Sequence, residues 1–340
     1  MSTTSQTEVT PQRIMQLAWG YAAPLMLEAA IKLKVFDVLD KSPQTVDEVV
    51  AQTGASQRGL RALLNALVGL QFLNRDANGR YGTTAESSQF LVTTKPTFYG
   101  GLIRHTSTDL IPAWLGLTET VTTGKPNKSV NQQGDGSIFF QQFVTDLFPI
   151  SYPVTQVLAG TLGIEKASQP VRILDLAAGS GVWGIGLAQR SPQVTVTAVD
   201  WPQVLEVTRQ MATRFGLVDR FQFVAGDLAT ADFGQGHNVA ILGHILHSEG
   251  EANGRELLKK TFNALAPGGT IAIAEFLVDE DRRGPAMSLI FAVNMLVATD
   301  KGDTFSFQEI SGWLREAGFE NPRALESPGP SPLVLANKPK

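Results

Sequence analysis

The chain predicts an α/β fold, a mostly parallel sheet covered by helices on both faces, preceded by a smaller helical region that ends in a hairpin. Three observations carry this. Short strand-like runs alternate with helical patterns through the second half of the chain. A glycine-rich turn joins the first of those runs to a helix. The first 95 residues lack the alternation and repeat apolar side chains at helical spacing instead.

Within 1–95, residues 13–39 form an apolar helical pattern broken near Pro24. A short helix follows from Thr45, then a longer one over 56–72, then a turn at 74–81 containing Asn78-Gly79. Helix, short helix, longer helix and hairpin is the order of a winged helix. DNA binding does not suit it, because the would-be recognition helix carries only Arg58 and Arg61 against Leu60, Leu63, Leu64, Leu67 and Leu70. A helix so apolar is expected to pack against a second copy of the chain, which makes 1–95 a dimerisation domain.

Residues 96–160 read as a helical, glycine-punctuated linker rich in aromatics, among them Phe98, Tyr99, Trp114, Phe139, Phe140, Phe143, Phe148 and Tyr152. Such residues fill a core or line an apolar pocket. By composition, 123–137 is a surface loop.

The third region, 161–340, holds the sheet. Strands are expected at 171–174, 194–199, 221–225, 238–242, 270–276 and 332–336, and helices at 204–215, 251–266, 288–297 and 307–317, with a turn at Pro267-Gly268-Gly269. Ligands of such sheets bind outside the carboxyl ends of the strands, where Asp175, Asp200, Asp227 and the residues after Leu242 fall.

Gly179-Ser-Gly181-Val-Trp-Gly184 fits the dinucleotide pattern, with Asp200 about 20 residues on, so the turn alone admits NAD, another nucleoside cofactor, or tight packing without a ligand. Two features favour S-adenosylmethionine. Asp175, read as part of the turn, would repel a pyrophosphate but suits an ammonium group. Gly226-Asp227, after the run 221–225, suits an adenine edge.

Composition excludes several classes. A net charge of −4 gives no reason to expect nucleic acid, and the absence of cysteine removes disulfides and thiolate metal sites. Residues 3–12 lack a signal pattern, and no apolar run reaches the roughly 18–20 residues of a membrane span, so no membrane is expected and a cytoplasmic enzyme is.

Two of the four histidines stand together in Leu242-Gly-His244-Ile-Leu-His247-Ser-Glu249-Gly-Glu251. At a strand's carboxyl end beside a cofactor, His247 is a candidate general base, since imidazole titrates near neutrality. His244 is read as pocket-lining or supporting. The spacing His-x-x-His with Glu249 or Glu251 is a weak metal pattern, and no metal is expected. Glu275, at the end of the next strand, is placed to orient the imidazole.

With these residues in view, the chain resembles the S-adenosylmethionine-dependent small-molecule O-methyltransferases that include plant caffeic-acid, acetylserotonin and bacterial natural-product types. The matching stretches are 174–181, 199–206, 219–228, 245–249, 264–280 and 313–319. The resemblance implies a Rossmann-like class I methyltransferase domain with a seven-stranded sheet, and a homodimer joined through the N-terminal winged-helix domain. It implies that Gly179 and Gly181, with Asp175 nearby, meet the methionine part of the cofactor. Asp200 would bind the ribose, with Trp201 beside it, and Asp227 with Leu228 would flank the adenine. His247 aligns with the catalytic base and Glu275 with its partner carboxylate.

The chain departs from that pattern at Ser248-Glu249, where Asp-Trp is usual, at Asp303, a loose match for a second orienting carboxylate, and at Ala177, where glycine is usual and the change is read as sterically mild. A histidine base can deprotonate a phenol of pKa near 10 far more readily than an aliphatic alcohol, so the expected acceptor is an aromatic hydroxyl compound. Trp114, Phe143, His244, Phe276, Met287, Phe291 and Met295 are the expected pocket. The open alternatives are a relative that binds the cofactor for a rearrangement or hydroxylation, a carbon or nitrogen methyltransferase, an NAD enzyme and a winged-helix regulator.

Overall fold

The computed structural model describes residues 9–126, 129–130, 133–329 and 331–340, with side chains left out at 133–138 and 142. The polar segment 3–12 and the loop 123–137 lie partly outside these residues. Two compact units divide the chain, Met1–Leu110 and Ile111–Lys340, so the segment expected at 96–160 is shared between them.

In the first unit Thr45 and Glu48 form a reciprocal cap that starts the helix Val46–Thr53, and left-handed Gly54 ends it. Ser56 caps the helix Gln57–Gly69 by accepting the Gly59 N–H. The hairpin pairs β1 (Leu73–Arg75) with β2 (Tyr81–Thr83). Asp76 Oδ1 accepts the N–H groups of Asn78 and Arg80 at 2.9 and 2.8 Å, and Gly79 takes the positive φ the turn requires.

Two expectations for this unit are corrected. Leu60, Leu64 and Leu67, spaced to share one helix face, are buried in the unit's own core with Phe36, Leu39, Leu73 and Tyr81, so they are not offered to a partner. The unpacked apolar surface lies earlier, on the helix Gln12–Ala18, which buries none of its residues and leaves Leu17 71% exposed, with Trp19 just beyond it 68% exposed. The break in this region falls after Ala18, and Pro24 sits in the first turn of the helix Ala22–Lys32, where its missing N–H has no carbonyl to serve. Gln12–Lys32 is long and apolar enough to cross a membrane, contrary to the sequence-based expectation, although the turn after Ala18 divides it.

The second unit contains β3 (Val171–Leu176), β4 (Val194–Asp200), β5 (Phe221–Ala225), β6 (His237–Gly243), β7 (Leu265–Ala274), β8 (Glu320–Leu325) and β9 (Leu333–Asn337). They form one seven-stranded sheet in the order β5-β4-β3-β6-β7-β9-β8. The first five are parallel, and β9 runs antiparallel to both neighbours. Strand order reverses between β3 and β6, which opens a crevice at their carboxyl ends. Both faces are covered, one by a core including Leu158, Ile173, Ile185 and Val196, the other by one including Leu174, Leu242, Leu258 and Leu314.

Four local readings change in this unit. The turn expected at 267–269 falls within β7, with Gly268 at φ +75° and the register against β6 shifting between His237, opposite Leu265, and Val239, opposite Thr270. The helix Gln133–Thr161 absorbs residues 133–137 of the expected loop. Edge strand β8 was not foreseen, because Glu320-Asn-Pro-Arg carries neither β-branched residues nor an apolar alternation. The helix after β6 begins at Leu246, but Gly250 at φ +75° and ψ +175° interrupts it, so it runs regularly only from Glu251.

Candidate active site

The carboxyl end of β3 leads through a tight turn into the helix Val182–Ala188. Gly181 has φ +73°, and a Cβ there would stand 2.8 Å from Thr208 Cγ2, so both backbone and space demand glycine. Gly179 has φ +56°, and its carbonyl accepts the Thr208 hydroxyl at 2.7 Å. Ala177 is also left-handed, at φ +51°, so its replacement of glycine is strained rather than mild, a conformation costing an L-residue about 1–2 kcal/mol.

Asp175 lies inside β3 rather than in the turn, and it is wholly buried. Its Oδ2 accepts the Gly184 N–H at 2.9 Å, while Oδ1 has no hydrogen-bond partner among the described residues. Burial pushes this carboxyl up to about 8. Asp200 ends β4 and accepts the Gly179 N–H at 2.9 Å and the Trp201 N–H at 2.7 Å. Burial, opposed by those two bonds, pushes it up to about 6.

Beyond β5, exposed Asp227 accepts the Ala229 N–H at 2.9 Å, and the Leu228 carbonyl accepts Lys260 Nζ at 2.8 Å. Trp201 meets Phe140 edge-on with ring centres 6.1 Å apart, and Phe143 stacks on Phe139 at 5.2 Å. Gly179, Gly181, Asp200, Trp201, Asp227 and Leu228 thus follow the carboxyl ends of three adjacent strands.

Past β6, His244 takes φ +61° and donates its N–H to the Ala274 carbonyl at 2.9 Å. His247 stands one turn further, 8% exposed, opposite Glu275, which follows β7 and is 2% exposed. His247 Nδ1 is 2.7 Å from Glu275 Oε2, and its backbone N–H donates to Oε1 at 3.2 Å. Burial alone would raise the Glu275 carboxyl, but the charge and hydrogen bonds of His247, helped by His244, hold it below its ordinary value. His244, by contrast, is pushed down to about 4 by burial and stays neutral at physiological pH.

Aromatic rings surround the pair. Phe291 meets His247 edge-on at 4.9 Å between centres, Phe276 lies 4.2 Å from Phe291 and 5.5 Å from His244, and Trp183 is 6.5 Å from His244.

The remaining expected residues divide. Asp303 is exposed, and its carboxylate accepts the Thr304 N–H at 2.7 Å. It meets the base through the backbone, its N–H donating to the His247 carbonyl at 2.9 Å. Met295 is buried on the helix Ala286–Ala298, whereas Met287 on the same helix is 59% exposed. Trp114 donates Nε1–H to Asn294 Oδ1 at 2.9 Å. Asn294 escaped the sequence reading, although it is the lone polar residue in 289–298. A separate cleft lined by Arg172, Asp219, Arg220 and Asp232 involves the amino ends of the strands, away from these residues.

A family model described as an O-methyltransferase domain matches residues 155–320, and one described as an O-methyltransferase dimerisation domain matches 15–93. The chain is 30% identical to the tetracenomycin polyketide synthesis 8-O-methyl transferase TcmO of Streptomyces glaucescens, over 97% of each chain. It is 31% identical to the 3-hydroxy-5-methyl-1-naphthoate 3-O-methyltransferase of Streptomyces sahachiroi, over 96% of this chain and 95% of that one. Among solved structures, PigF with SAH superposes with a TM-score of 0.79 at 27% identity, covering 97% of this chain and all (100%) of that one. Human N-acetylserotonin methyltransferase in complex with SAM shares the fold at a TM-score of 0.83 and 24% identity, with 100% of both chains covered.

Proposed function

Since the chain belongs to the O-methyltransferase family and is an S-adenosylmethionine-dependent enzyme of that kind, we propose that its acceptor is a phenolic hydroxyl of an aromatic small molecule and that His247 removes the proton. The observation that carries this reading is the buried His247–Glu275 pair, 2.7 Å apart and walled by Phe276 and Phe291.

S-adenosylmethionine, when bound, supplies a methyl group on a positively charged sulfur, already activated for displacement. The protein's task is then to align an oxygen with that methyl and to take its proton. Glu275 accepts Nδ1–H, which leaves Nε2 as the basic nitrogen and stabilises the imidazolium once the proton arrives. A phenol, with a pKa near 10, is within reach of such a base. Phe276 and Phe291 favour a flat apolar acceptor and keep water from the reacting oxygen. The relative named for a hydroxynaphthoate acts on an acceptor of this class.

For the cofactor, Asp200 would take the ribose hydroxyls, the backbone at Gly179 and Gly181 the methionine part, and Asp227 and Leu228 the adenine, with Trp201 beside them. The test is a panel of phenols and aliphatic alcohols incubated with methyl-labelled S-adenosylmethionine, the product position read by NMR. Methyl ethers of phenols are expected; labelled product from aliphatic alcohols alone would contradict the assignment. We also propose a homodimer built on the dimerisation domain, in which a second copy covers the helix Gln12–Ala18.

A further inference from the structure

The donor set around the base has a second capacity. His244, His247 and Glu275 each offer a ligand atom, and the three atoms lie within 4.8 Å of one another, His247 and Glu275 buried and His244 half-buried. Two imidazole nitrogens and one carboxylate oxygen are the kind of set that binds zinc with a fourth position open, whereas magnesium and calcium prefer oxygen alone. A second observation points the same way. His244 Nδ1 is buried and has no hydrogen-bond partner among the described residues, although a buried ring nitrogen is ordinarily satisfied.

The alternatives for satisfying that nitrogen are limited. His105 and His237 are engaged elsewhere, with Asp109 and with the Phe233 carbonyl, and the sequence contains no cysteine. Among the described residues this is the one cluster of its kind. His244 also sits at φ +61°, a strained conformation for a side chain that makes no compensating bond through Nδ1.

We propose that His244, His247 and Glu275 form an inhibitory site for a divalent zinc-like ion. The ion takes the lone pair of His247 Nδ1 and an oxygen of Glu275, and the proton that Nδ1 carried moves by way of solvent to Nε2, so His247 stays a neutral ligand and Nε2 can no longer accept a proton. With Nδ1 and Glu275 both committed to the ion, the imidazolium can no longer be stabilised by the carboxylate. The inhibition part of the proposal rests on the reading of His247 as the base; the binding part does not.

The experiment uses the full-length protein, freed of metal with EDTA and dialysed against zinc chloride, with bound zinc counted by elemental analysis. One zinc per chain is expected. His244→Asn, which tolerates the left-handed backbone, removes a direct ligand and should weaken binding at least about tenfold, since even indirect partners of metal ligands are worth that much. His105→Asn should bind zinc as the parent does, and circular dichroism confirms that both variants are folded. No bound zinc in the parent, or undiminished binding by folded His244→Asn, overturns the site. Turnover should fall as zinc fills the site and return with EDTA. Zinc held through His244 with turnover unchanged would leave the site standing and overturn His247 as the base.

Discussion

Glu275 holds His247 at two points, one carboxylate oxygen 2.7 Å from Nδ1 and the other accepting the backbone N–H of the same residue at 3.2 Å. The double grip sets both the rotamer and the tautomer of the ring. Gln at this position keeps an acceptor for the backbone but presents an amide where Nδ1–H needs a carboxylate. Glu275→Gln is therefore expected to lower kcat by roughly 10–100-fold with little change in KM for the cofactor. Steady-state kinetics check this, and an unchanged kcat would remove Glu275 from the catalytic pair.

Asp175 makes stability depend on pH in an unusual direction. An unfolded aspartate titrates near 3.9, whereas burial raises this one to about 8. Across that window the folded chain keeps a proton that the unfolded chain has lost, so stability falls as pH rises. Asp175→Asn retains an acceptor for the Gly184 N–H and carries no charge. It should be more stable than the parent at pH 8, by about 1–3 kcal/mol for relief of a poorly satisfied buried group, and close to it at pH 4. Denaturant melts at the two pH values give the comparison, and parallel pH dependence in the two proteins would contradict it.

Asp200 joins the end of β4 to the turn through the Gly179 N–H. Asp200→Ala should weaken S-adenosylmethionine binding by about 1–3 kcal/mol, the cost of removing a hydrogen-bonding group from a partly buried site. Calorimetry should also show no binding of NAD. Full affinity in the alanine variant would exclude Asp200 from the cofactor site.

The helix Gln12–Ala18 presents Ile14, Met15 and Leu17 outward with no buried residue of its own. A dimer that covers them predicts a single species of twice the chain mass in light scattering at micromolar concentration. Leu17→Glu should shift that species toward monomer, because it puts a charge into an apolar interface. A parent protein that is monomeric would refute the assembly.

Much of this arrangement is legible in the sequence because each signal is local. The glycines of the turn at 179–184, the β-branched run 194–199 and the caps at Thr45 and Ser56 act through their immediate neighbours, and the element types follow from them. Tertiary relations are less legible. The leucine face of Gln57–Gly69 reads as an interface from its apolar spacing, and only packing against Phe36 and Tyr81 makes it core. Asp175 looks like a turn residue until the strand is seen to include it, and the left-handed φ of Ala177 and His244 leaves no mark in composition. Asp303 is near His247 in space but shows its backbone to it, a distinction that spacing cannot make.

The most direct test of the account is the rate of methyl transfer in His247→Ala under conditions that saturate both substrates. If Nε2 takes the acceptor's proton during transfer, turnover should fall by roughly 10²–10⁴-fold. Cofactor affinity measured by calorimetry on the same protein should stay within a few tenths of a kcal/mol, a margin typical of substitutions away from a bound group. Near-parental turnover by a folded His247→Ala enzyme on its own acceptor would contradict the account, since alignment alone would then suffice and the His247–Glu275 pair would be structural.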